Sequence, residues 1–139
     1  MSSTSHSPEE MLGQVDLFSG LSKRQLKKIV DAGRTVEHAA DREVATEGLG
    51  ALAFHLILSG AAKVSSKGTE LRTLAAGDYF GEMSMIDGKP RSATVTATEP
   101  MTTLAVPHEK FESLVEHEPQ VALGLLKVLS TRVREAEAR

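Results

Sequence analysis

The residues of this chain whose types and spacing could do chemistry lie in one stretch, YFGEMSMIDGKPRSATVTA, residues 79–97. Gly81 permits a positive φ or a close backbone approach to a ligand. The peptide N–H groups of Glu82, Met83 and Ser84 would open a short helical turn, where they stay unpaired and face an anion. Arg91 carries a planar fork of donors that matches two oxygens of a phosphate, and Pro90 before it holds the backbone. Glu82, when ionised, is acceptor-only; it repels phosphate and takes hydroxyl donors. A ligand with a phosphate beside a free hydroxyl satisfies both side chains, and a ribose phosphate fits. The plain alternative is that Glu82 and Arg91 pair with each other on the surface, worth ~0–1 kcal/mol.

Other chemistries find little support. There is no cysteine, which removes disulfides, thiolate metal sites and cysteine nucleophiles. His6, His38, His55, His108 and His117 are scattered without H-x-H or H-E-x-x-H spacing, so metal ligation is not expected. His55, on an apolar strand, reads as a hydrogen-bonded core or rim histidine. Ser84 and Ser92 have no base nearby in the pattern, so no catalytic residue is assigned. Sixteen basic against nineteen acidic residues give a net charge of −3, which argues against a nucleic-acid surface and direct DNA binding. No apolar run approaches the roughly 20 residues of a membrane span. The polar start of the chain lacks a secretion signal's apolar stretch, so a soluble cytoplasmic protein is expected.

The elements that must position this stretch are legible on both sides of it. Ser7-Pro8-Glu9-Glu10 and Ser22-Lys23-Arg24-Gln25 each read as a capped helix start, and Gly33 ends the second helix. Between them, 15–20 is a short apolar connector expected to pack on the core. From 34 to 107 β-prone runs appear at 34–37, 43–46, 53–58, 61–65, 70–74, 92–97 and 102–106. Seven of the eleven glycines fall between 48 and 88. Many short strands at this spacing indicate a sandwich or barrel, with a jelly roll among the choices. After Pro107, 108–117 is a short amphipathic helix and Glu118-Pro119 opens a longer one. In that last helix Ala122, Leu126, Leu129, Val133 and Ala136 form an apolar seam with 4–3–4–3 spacing. It is expected to pack on the domain's own barrel, with homodimer pairing as the second reading. The whole, 1–139, reads as a single domain with 40% apolar residues: N-terminal helices over 7–33, a β region over 34–107, and C-terminal helices over 108–139.

FGEMSMIDGKPRSATVTA resembles the phosphate-binding cassette of the cyclic nucleotide-binding domains. These occur in protein-kinase regulatory subunits, catabolite-activator-type transcription factors and cyclic-nucleotide-gated channels. LFSGLSKRQLKKIV is similar to the family's leading helical segment, FHLILSGAAKV to its central strand pair, and LAAGDYFGE to the approach to the cassette. The resemblance implies a mainly β fold with flanking helices: a double-stranded β-helix, or jelly-roll barrel, with N-terminal helices and two C-terminal helices. It implies a regulatory ligand site for cAMP, with cGMP second, and no further cofactor. Arg91 would hold the cyclic phosphate, and Glu82 the ribose 2′-hydroxyl with the Gly81 N–H nearby. N–H groups of Met83, Ser84, Ser92 and Ala93 would cradle the phosphate, and Val64, Leu71 and Met83 would wall the sugar and base. Ser92 stands where relatives distinguish adenine from guanine, and it can serve either.

The family's lid, a C-terminal helix that closes over the base, falls at 132–139, where Arg132 or Arg134 could stack on a purine. A solvated charged helix end is the plainer reading of those residues. The resemblance implies signalling to an effector protein that is not identified, by movement of the C-terminal helices. The chain is then a stand-alone sensor or an excised domain. Two other readings are a degenerate fold kept for structure or dimerisation, and a metal-dependent cupin-like enzyme. Intact Glu82 and Arg91 argue against the first, and missing ligands against the second.

Overall fold

The computed structural model describes residues 7–45, 52–90 and 93–138. Both N-terminal helix starts carry full capping boxes. In α1, Pro8–Gly13, Ser7 accepts from the Glu10 N–H while the Glu10 carboxylate accepts from Ser7 N–H; in α2, Lys23–Ala32, Ser22 and Gln25 do the same. Each satisfies two orphan amide groups that a helix start leaves open. The connector forms a 3-10 turn, Asp16–Phe18, whose Leu17 and Phe18 are fully buried.

Among the described residues eight strands follow: β1 Arg34–His38, β2 Glu43–Ala45, β3 Ala53–Ser59, β4 Ala61–Ser66, β5 Thr69–Ala75, β6 Tyr79–Phe80, β7 Thr94–Ala97 and β8 Met101–Pro107. They pair antiparallel in two four-stranded sheets, ordered β1-β8-β3-β6 and β2-β7-β4-β5, the face-to-face arrangement of a jelly roll. The seven runs expected from the sequence all appear. β6 is the addition, since two residues are too few to show a period.

Between the sheets lies one core: Ile57, Val64, Leu74, Phe80, Val95 and Met101. The second core fills the space between the β1-β8-β3-β6 sheet and the helices, with Leu12, Phe18, Ile29, Phe54, Leu56, Val106, Phe111, Val121 and Leu125. β3 is buried on both faces, and for that reason FHLILS reads as a continuous apolar run rather than an alternation. Alternation survives in where its side chains go. Phe54 and Leu56 meet the helices and Ile57 the barrel interior. His55 also faces inward, 5% exposed; its Nδ1 lies 3.0 Å from the Thr103 hydroxyl, which is also 3.0 Å from His38 Nε2. That hydroxyl bridges the two rings, since it can both donate and accept. Burial, then the nearby Arg42 charge, lowers the His38 pKa.

Two helices complete the chain, α4 His108–His117 and α5 Pro119–Glu137. The inward stripe of α5 is Val121, Leu125, Val128 and Arg132, with Leu129 partly buried at its edge. The seam expected to pack on the barrel is therefore displaced: Leu126 and Val133 are exposed at 59% and 56%. Both stripes have 4–3–4 spacing and lie one residue apart, about 100° around the helix, so spacing alone could not choose between them. Arg24 on α2 makes a two-pronged contact with Glu118 at 3.0–3.1 Å, which ties down the start of α5. Among the described residues no helix is long and apolar enough to cross a membrane.

Candidate functional site

β6 is short, but its alternation sets the site. Phe80 turns inward and stacks on His55 with ring centroids 4.9 Å apart. Tyr79 turns to the helix layer, packs 5.7 Å from Phe54, and sends its hydroxyl to Asp16 Oδ1 at 2.7 Å. The chain then enters a third helix of the fold, the short segment Glu82–Asp87, bracketed by Gly81 at φ 83° and Gly88 at φ 70°. An L-residue in that left-handed region costs about 1–2 kcal/mol, so both bends call for glycine. At Gly88 there is also no room: an added Cβ would come 2.9 Å from His108 Nε2. The ring N–H at Nδ1 of that histidine donates to the Met85 carbonyl at 2.8 Å, which fastens the short helix to α4. Asp87 accepts from the Lys89 N–H at 2.9 Å and shapes the turn that follows.

A cavity of about 240 Å³ opens beside this segment. Gly81, Glu82, Met83 and Ser84 form one side, Phe80, Val64, Ala93 and Val95 the apolar wall, and Asp87, Lys89 and Pro90 the rim. Its size is near the lower bound of roughly 300 Å³ for small-molecule pockets and suits a compact ligand. Of the expected site residues, Gly81, Glu82, Met83, Ser84, Ala93 and Val64 thus come together on one cavity. Arg91 and Ser92 lie outside the described residues.

Leu71 does not line the cavity; it is 56% exposed. Its place is taken by Arg72, which no reading of the sequence singled out. Val64 pairs with Arg72 and Ser65 with Glu70, so Leu71 is the extra residue of a β-bulge. Directly paired residues share a face, so Arg72 follows the buried Val64 onto the cavity wall while Leu71 turns out. Among the described residues the Arg72 side chain makes no hydrogen bond or ion pair. A bulge of this kind leaves little trace in a sequence.

The second unforeseen feature joins three distant parts of the chain to Glu82. Arg132 Nη2 donates to Asp16 Oδ1 at 2.9 Å and Oδ2 at 3.1 Å, and to the Tyr79 hydroxyl at 3.0 Å. Its Nη1 lies 3.8 Å from Glu82 Oε2. Arg132 is thus a held side chain rather than a solvated one, and its guanidinium is engaged away from a stacking role. Tyr79 has its pKa pushed up to about 12, first by burial and then by the Asp16 hydrogen bond and charge. Asp16 is lowered in turn, chiefly by the Tyr79 hydrogen bond and then by Arg132.

Chemically, the cavity combines two carboxylates, Glu82 on one side and Asp87 at the rim, with apolar walls and two cations, Arg72 and Lys89. Among the described residues no cluster of three or more His, Asp or Glu is arranged to hold a metal ion.

The sequence profile of the cyclic nucleotide-binding domain family matches residues 35–118. The cAMP-dependent protein kinase regulatory subunit of Emericella nidulans is 34% identical over 109 residues, which is 77% of this chain and 26% of that protein. The chain therefore spans about a quarter of that relative's length. Among solved structures, the N-terminal domain of a transcriptional regulator from Streptomyces coelicolor superposes with a TM-score of 0.84. It is 25% identical, and the match covers 92% of this chain and 93% of that one. The regulatory domain of Toxoplasma gondii PKA, crystallised with cAMP, gives a TM-score of 0.73 at 25% identity, over 92% and 49% of the two chains.

Proposed function

Since the chain belongs to the cyclic nucleotide-binding domain family, we propose that it is a sensor that binds cAMP in the cavity beside Glu82–Asp87. The observation that carries this reading is the convergence of Gly81, Glu82, Ser84 and Ala93 on one hollow with the apolar wall of Val64 and Val95. Glu82 accepts the ribose 2′-hydroxyl. Arg91 pairs with the cyclic phosphate, and the N–H groups of Met83, Ser84, Ser92 and Ala93 complete its cradle. Val64 and Met83 face the sugar and base. The family is a ligand-binding regulatory one, and no residue is assigned a catalytic step.

Signalling follows by population shift. A ligand held by the short helix biases its position, and His108 on α4 and Arg132 on α5 carry that bias to the C-terminal helices. The effector is an unidentified protein. The exposed Leu126 and Val133 on α5 suit pairing with a second copy, which a gel-filtration mass near twice 14.9 kDa would support.

A second reading, cGMP, is favoured by Arg72. Beside Val64 on the cavity wall, its two-pronged donors match O6 and N7 of guanine, whereas adenine presents a donor at position 6. One set of calorimetric titrations tests all of this, with cAMP and cGMP against the wild type, Arg91→Ala, Glu82→Ala and Arg72→Ala. Arg91→Ala is expected to cost about 2–5 kcal/mol of binding for either nucleotide. Arg72→Ala is expected to cost cGMP about 1–3 kcal/mol more than cAMP. Undiminished binding by Arg91→Ala overturns the pose. Failure of the wild type to bind either nucleotide turns the reading to a fold kept for structure or dimerisation.

A further inference from the structure

The guanidinium of Arg132 reaches the cavity's Glu82 carboxylate from the far end of the chain. Residues 121, 125, 128 and 132 share the inward stripe of α5, so packing of Val121 and Leu125 carries Arg132 down onto the fold. There Nη2 is taken up by Asp16 from the 3-10 turn and by the Tyr79 hydroxyl from β6. Tyr79 also donates to Asp16, so the three side chains close a ring of hydrogen bonds that leaves the guanidinium little freedom. Its other arm, Nη1, points at Glu82 Oε2 at 3.8 Å. That is within ion-pair reach but beyond the 2.7–3.2 Å of a made hydrogen bond. Glu82 sits on the cavity wall with its side chain only 23% exposed.

We propose that Arg132 is a positioning residue of the nucleotide site: held by Asp16 and Tyr79, it aims the Glu82 carboxylate at the sugar hydroxyl of the ligand. This rests on the reading of Glu82 as the hydroxyl's acceptor. A carboxylate has two oxygens and about four lone-pair positions. A charge fixed beside Oε2 leaves Oε1 free to accept and narrows the rotamers from which it does so. A side chain ordered before the ligand arrives spares the association the rotamer entropy of ordering it. Arg132 is suited to this because its fork holds two partners on one nitrogen while presenting the other nitrogen to a third. The same contact makes α5 sensitive to occupancy, since a hydroxyl donated to Glu82 competes for the charge that Arg132 faces.

A removed hydroxyl tests it. The full chain is titrated with 3′,5′-cyclic AMP and with its 2′-deoxy analogue, as wild type, Arg132→Ala and Asp16→Asn. Arg132→Ala is expected to weaken cAMP about tenfold and to leave the deoxy analogue within about twofold. In a Glu82→Ala background the same change should add nothing. Asp16→Asn, at an exposed residue, frees Arg132 without deleting it; a smaller loss with the same dependence on the hydroxyl is expected. It also stands in if Arg132→Ala loosens α5, which circular dichroism would reveal. An equal loss on both ligands makes Arg132 a merely structural contact and overturns the inference while leaving the site intact. No loss on either overturns it as well. A wild type that binds neither ligand removes the site itself, a separate outcome.

Discussion

Two polar clusters sit within a few strands of each other and are built on opposite rules. Inside the barrel, the buried His38 and His55 rings share the Thr103 hydroxyl. At the barrel's rim, the charged Asp16, Arg132 and Glu82 gather around the Tyr79 hydroxyl half in water. The inner cluster is assembled by strand pairing: β1 and β3 both pair with β8, which brings His38 and His55 to either side of Thr103. The outer one is assembled by helix packing, with members up to 116 residues apart. A buried hydrogen-bonded network stabilises, because leaving its atoms unpaired is costly. A solvated charged network contributes little to stability. What the rim cluster has instead is its place against the cavity, through Glu82.

The two can be separated by substitution. Thr103→Val keeps the shape and removes the shared hydroxyl, so a loss of about 1–3 kcal/mol of unfolding free energy is expected, with nucleotide affinity unchanged. Urea denaturation and calorimetry read the two effects. A drop in affinity from that change would show the inner cluster to be part of the site after all. Tyr79→Phe works in reverse, with a stability loss of about 0.5–1.5 kcal/mol or less and weaker binding of ligands that carry the 2′-hydroxyl. Since Tyr79 is the single tyrosine, phenolate absorbance reports the rim cluster alone. Its titration midpoint should lie near 12, and Asp16→Asn should bring it part of the way down, with burial keeping the remainder.

The smallest effect is one of pH. His38 has a folded pKa below the ordinary value of 6.5 because burial and Arg42 disfavour its charge. Above 6.5 both states are neutral and nothing is lost. As pH falls below 6.5 the unfolded chain takes up the proton first, so stability declines until the folded pKa is passed. Denaturation midpoints between pH 8 and 5 should show this slope, and His38→Gln should flatten it. For Tyr79 the sign is opposite: its contribution is complete below pH 10 and fades as the pH rises through about 12. An unchanged acid slope in His38→Gln would take the inner cluster out of the pH response.

What could be read in advance follows the range of the interactions. Ser7 and Glu10, or Ser22 and Gln25, cap helices across three residues, so the chain alone determined α1 and α2. Strand alternation and the glycine-rich breaks announced seven of the eight strands among the described residues, and the string from Phe80 to Ala97 singled out the segment beside which the cavity lies. The tertiary structure decided the rest. A bulge that no local preference announces exchanged Leu71 for Arg72 on the cavity wall. Packing of Val121 and Leu125, one of two stripes with equal spacing, chose the face of α5 that turns inward. With that choice Arg132 ceased to be a helix-end charge and became the partner of Asp16, Tyr79 and Glu82. Local chemistry names the residues that can act; only the folded path of the chain says which distant charges stand beside them.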